Sequence, residues 1–135
     1  LVPMAALGSF GRPRHTEGFS ANMNVRGGPL RPCSAPGMAA TGFTRTGSCD
    51  HHGADAGSHH VCVSLRTGGA SGTKNKNFCA LTGQPNWCDE PGPCHGNRHA
   101  RCPKRNWCVC QWAYDRLVSR PDVSCDDVAI DCDET

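Results

Sequence analysis

The sequence predicts a small, disulfide-rich α+β domain with a few short strands, one or two short helices, long irregular loops and an extended N-terminal arm. Three observations predict it. Eleven of the 135 residues are cysteine, a density typical of scaffolds held by cross-links rather than by a large apolar interior. Only 37% of the chain is hydrophobic and 6% aromatic, too little to bury a core usual for this length. Sixteen glycines are spread along the chain, so no element is expected to run far.

The disulfide candidates are Cys33, Cys49, Cys62, Cys79, Cys88, Cys94, Cys102, Cys108, Cys110, Cys125 and Cys132. Each bridge is worth roughly 2–4 kcal/mol, so three would rival the net stability of an ordinary domain. Zinc binding is the rival explanation, but its strongest signature, paired CxxC, is missing. An odd count leaves at least one thiol free, buried or joined to another chain.

Taken in order, residues 1–32 form the expected arm: basic, glycine- and proline-containing, with isolated apolar residues and no helical or alternating period. It is expected to wrap a partner, with Phe10 and Phe19 as anchors and Arg12, Arg14 and Arg26 as charged contacts. Residues 33–135 form the stapled domain. Thr41 to Asp55 reads as loops closed by Cys49, and His60 to Leu65, alternating and β-branched, as the best strand. Arg66 to Asn77 is a surface loop with solvated Lys74 and Lys76. Phe78 to Leu81 is read as a second short strand, and Pro85 to Pro103 as an irregular stapled excursion among turn formers. Cys108 and Cys110, two apart on a strand, would send both sulfurs from one face to different neighbours, with Trp107 and Trp112 as the largest apolar surfaces of the core. Trp112 to Ser119 reads as a helix ending before Pro121. The acidic tail is expected to be pinned back through Cys125 and Cys132.

A formal net charge of +2 argues against bulk attraction to nucleic acid or anionic lipid. No apolar run reaches the length of a membrane span. The start at Leu1 is read as that of a processed precursor. Cysteine usage points to an oxidising compartment, a thylakoid lumen or the secreted space.

Several ordered stretches carry a family resemblance. They are Asn24-Val25 with Gly27 and Leu30; Cys33-Ser34; Thr41-Gly42-Phe43 with Arg45, Gly47 and Cys49; Asp55; Gly57-Ser58-His59 with Val61-Cys62; and Trp107-Cys108-Val109-Cys110 with Trp112. The chain resembles the uncharacterised DUF2237 family, whose pattern runs through T-G-F-x-R-x-G-x-C and D-x-G-S-H-x-V-C-A to W-C-L-C-x-x-R-W. Between these stretches it departs, carrying a Cys/His-rich insertion over Phe78 to Arg105 similar to longer algal forms. The resemblance implies a fold neighbourhood and no mechanism.

The chemistry must therefore come from the residues themselves. Gly57 to Cys62 gathers a hydroxyl, two imidazoles and a sulfur, and on a strand Ser58, His60 and Cys62 would share one face. A nucleophile also needs a base and an orienting group, so the bland reading is a Gly-Ser turn opening a strand, with Cys62 bridged. No metal and no cofactor are expected. A metal, if bound, would use His51, His52, His59 and His60, or Cys94, His95, His99 and Cys102. The function expected from sequence is non-catalytic: an accessory or structural subunit that binds and stabilises a larger protein complex through its arm, specifically a lumenal subunit of a photosynthetic complex in peripheral contact with a membrane complex. The alternatives are a metal-binding or thiol-redox enzyme and a free secreted binding module.

Overall fold

The structure, a computed structural model, describes residues 22–66, 76–124 and 127–135. Phe10, Arg12, Arg14, Phe19, Lys74 and Cys125 lie outside the described residues. The order is β1 (Val61–Ser64), α1 (Phe78–Thr82), a single 3-10 turn at Trp87–Asp89, β2 (Gly92–Cys94), β3 (Asn97–Cys102), β4 (Asn106–Val109) and α2 (Gln111–Val118). With four disulfides among the described residues, this is a small disulfide-rich α+β fold with long loops, as the composition predicts.

Two antiparallel pairs organise the chain, β1 with β4 and β2 with β3. In the first, Cys62 lies opposite Cys108 and Val63 opposite Trp107. The C-terminal segment flanks β1: Ser64 donates its N–H to the Ala129 carbonyl and Asp131 donates to that of Cys62, both at 3.0 Å. The tail is thus held back by backbone hydrogen bonds, while Cys132 carries a free thiol. The tail in turn receives residues 22–31. Val25 N–H donates to the Thr135 carbonyl and Arg31 N–H to that of Asp133, and Asn24 folds the turn by accepting from Arg26 and Gly28 N–H at 3.0 Å.

Bridges Cys33–Cys62 and Cys49–Cys108 tie the two entry loops to β1 and β4. Cys79–Cys88 and Cys94–Cys102 both stay within residues 78–105. Among the described residues no disulfide joins that stretch to the rest of the chain. An apolar cluster of Val63, Leu65, Phe78, Leu81, Val109, Leu117, Val123 and Val128 covers the other face.

Four readings are corrected. Phe78 to Leu81 lies in helix α1, because Asn77 caps it by accepting the Ala80 N–H at 2.9 Å and Gly83, at φ 69°, stops it. The excursion from Pro85 to Pro103 contains the β2–β3 hairpin, turned at His95-Gly96 with Gly96 at φ 80°. The strand around His60 starts only at Val61. Trp112 is 60% exposed: α2 turns Leu117, Ala113 and Tyr114 towards the core, which leaves Trp112 on the opposite side. Among the described residues no helix is long and apolar enough to cross a membrane.

Candidate active site

The loop before β1 is built around Asp55. Its carboxylate is buried, accepts the His59 backbone N–H at Oδ2 (2.8 Å), and lies 2.6 Å through Oδ1 from His59 Nδ1. Burial pushes the Asp55 carboxyl up, but the hydrogen bonds and charge of His59, with the Gly57 N–H, outweigh it and hold the group below its ordinary value. An ionised Asp55 can only accept, so Nδ1 carries the proton and Nε2 is the nitrogen left for chemistry. Two backbone features fix the ring. Ser58 adopts φ 49°, a conformation side-chain-bearing residues rarely take. Gly57 lies so close to the imidazole that an added Cβ would sit 2.4 Å from His59 Cε1.

Cys110 arrives from the other side. Strand β4 ends at Val109, and Cys110 is the cap residue of α2 without a side-chain capping bond. Gln111 N–H donates to the Ser58 carbonyl at 3.2 Å, which stitches the start of α2 to the loop presenting His59. Cys110 and His59 consequently line one cleft of about 370 Å³. The thiol is free because Cys108, on the strand, takes Cys49, whereas Cys110 has already left the strand. The expectation that both sulfurs leave one strand face and form bridges fails there.

The remaining walls are aromatic and cationic. Trp87 and Trp107 pack at a tilt of 45° with centroids 6.0 Å apart. Lys104 Nζ lies 5.4 Å and 5.2 Å from their centroids, and the Arg45 guanidinium 5.0 Å from that of Trp107. Lys104 Nζ donates to the Trp87 carbonyl at 2.9 Å, and Arg45 Nη1 to that of Gly42 at 2.7 Å. Burial pushes the Lys104 ammonium below its ordinary value; Glu90 opposes this, while Arg45 and Arg101 add to it. Arg45, like Ser58, has a positive φ, 59°. Among the described residues no carboxylate lines the cleft itself, and a larger neighbouring cleft of about 560 Å³, bordered by Thr44, Arg45, His95 and Arg98, has no free thiol among them.

The other predicted site residues are dispersed. His51 stacks on His60, His52 lies against Phe43, and Cys62 is bridged to Cys33; because the strand starts at Val61, Ser58 and His60 lie outside it and share no strand face with Cys62. Cys94 and Cys102 are bonded to each other, so neither offers a thiolate in this oxidised form, and His95 Nδ1 lies 3.1 Å from Ser34 Oγ. Arg26 lies 3.8 Å from Asp133 at the surface. Asp55 as the partner of His59, and Cys110, Arg45, Trp87 and Lys104 as walls of the same cleft, escaped sequence reasoning. The spacing of Asp55 and His59, four apart, was a signal for their pairing; nothing local announces Lys104.

A thiol, an imidazole oriented by a buried carboxylate, and two cations around an apolar slot can bind an anion and move a proton at a sulfur nucleophile. No curated protein matches the sequence. The family model described as "Uncharacterized protein conserved in bacteria (DUF2237)" matches residues 23–125. The chain thus belongs to the DUF2237 family.

Proposed function

We propose that the protein is a thiol-dependent acyl-transfer enzyme acting on a small anionic substrate, with Cys110 as nucleophile, His59 as base and Asp55 as its positioning residue. The observation that carries this reading is the shared cleft of Cys110 and His59, with Asp55 2.6 Å behind the imidazole. His59 Nε2 takes the thiol proton as Sγ bonds to the acyl carbon. The same proton goes to the departing oxygen or sulfur, and water attacking through the same imidazole frees the acid and restores the thiol. Proton transfer is what an imidazole–carboxylate pair adds to a thiol; disulfide exchange by itself requires no such pair. Arg45 and Lys104 favour a carboxylate or phosphate on the substrate, and the two indoles an apolar body.

The arm-borne subunit reading draws on residues 1–32, of which the described part turns back onto the chain's own C-terminus. The enzyme reading has the more specific support. Four disulfides fit an oxidising environment, and a thylakoid lumen or the secreted space would each supply it.

The test uses two activated aryl esters, one acyl group ending in a carboxylate and one neutral. The expected result is one acyl group per chain, on Cys110, formed faster from the anionic ester, absent in Cys110→Ser and slowed about a hundredfold in His59→Ala. Acylation of lysines alone, or equal rates with and without His59, would overturn the reading.

A further inference from the structure

A second site lies beneath the cleft. Cys33, Cys49 and Cys62 place their sulfurs within 4.8 Å of one another, and Cys108 is bonded to Cys49. The four form one buried cluster, none more than 3% exposed. They come from four chain positions that strand pairing and backbone hydrogen bonds bring together in addition to the bridges. Cys62 and Cys108 are directly opposed on β1 and β4. The Cys33 N–H donates to the Gly47 carbonyl at 2.8 Å, tying its loop to the one bearing Cys49. The Cys108 N–H donates to Thr41 Oγ1 at 2.8 Å.

Four thiolates around zinc at about 2.3 Å stand about 3.8 Å apart along each edge of the tetrahedron. To reach that spacing the bonded pairs, at 2.01 Å for Cys33–Cys62 and 2.08 Å for Cys49–Cys108, open by roughly 1.8 Å once reduced, and the unbonded sulfurs of the trio close by no more than about an ångström. Released from Cys49, Cys108 has its partner strand to keep it in reach.

We infer that Cys33, Cys49, Cys62 and Cys108 form a redox-gated tetrathiolate metal site: two disulfides when oxidised, a closed structural zinc site when reduced. The step balances with a phosphine or dithiol as reductant. Two phosphines and two waters convert the two bridges to four thiols and two phosphine oxides, and Zn²⁺ then displaces four protons as four Zn–S bonds form. The two bridges of the insertion cannot do this, since Cys79–Cys88 and Cys94–Cys102 are each local pairs outside the cluster.

The experiment reduces the full chain with a phosphine without oxygen, removes the reductant and titrates with Co²⁺ and then Zn²⁺. Expected are one cobalt per chain with thiolate charge-transfer and tetrahedral ligand-field bands, displacement by one zinc, and protection of Cys33, Cys49, Cys62 and Cys108 from alkylation while Cys79, Cys88, Cys94 and Cys102 react. The bands should persist in Cys79→Ser/Cys88→Ser and in Cys110→Ser, and weaken at least tenfold in Cys33→Ser. Absence of tetrahedral cobalt, or protection of a different set of cysteines, would overturn the inference. The mapping uses the unaltered chain, so misfolding of a variant cannot decide the outcome.

Discussion

Asp55 controls the cleft through one ring. Because its folded-state carboxyl lies below the ordinary aspartate value, its ionisation favours the fold above that ordinary value, near pH 4. This contribution is lost as pH falls through the lower, folded value. Asp55→Asn should therefore remove part of the acid sensitivity of unfolding below pH 4. It should also cost about 1–3 kcal/mol at neutral pH, since an amide cannot accept at both positions that His59 fills; urea unfolding at several pH values checks both. Gly57→Ala should be harsher for chemistry than for stability. Its methyl would occupy the place of the imidazole edge, turn His59 from Asp55 and lower Cys110 reactivity about tenfold or more, as thiol modification rates would show. Reading the chain alone finds His59 but assigns it to a bland turn, because the partner in the cleft, Cys110, lies about fifty positions away and reaches it only through the β1–β4 pairing.

Elements this short take their identity from their ends. Four apolar residues at Phe78 to Leu81 fit a strand or one helical turn equally by periodicity. What decides is Asn77, whose side chain also donates to Asn86 at 2.8 Å and Asp89 at 3.3 Å, together with Gly83. Asn77→Ala should cost about 1–2 kcal/mol, measured by urea, and should loosen the 3-10 turn carrying Trp87. Helix α2 was legible because its apolar run is longer and ends before Pro121. Its first residue was not, since Trp107 to Cys110 continues a strand pattern that Cys110 abandons. The hairpin β2–β3 was hidden by turn-forming residues that read as loop; its Cys94–Cys102 closure and the His95-Gly96 turn give it register.

For the whole molecule, cysteine density made the class of fold legible, while the pairing depended on three-dimensional neighbours. The loops closed by the bridges differ widely, with sequence separations of 59 for Cys49–Cys108 and 8 for Cys94–Cys102. Replacing both cysteines of the long bridge by serine should cost about 1–2 kcal/mol more than doing so for the short one, by loop closure in the unfolded chain. Equal losses in urea unfolding would mean that the native cluster, rather than unfolded-state entropy, sets the contribution. The proposed function makes Cys110 a nucleophile served by His59. The direct measurement is the alkylation rate of each free thiol in the unreduced native protein at neutral pH, resolved by peptide mass and repeated in His59→Ala. Cys110 should react at least about tenfold faster than Cys132, prefer iodoacetate to iodoacetamide relative to a simple thiol, and lose the advantage without His59. Matching rates for Cys110 and Cys132, unchanged by the substitution, would contradict the proposed function.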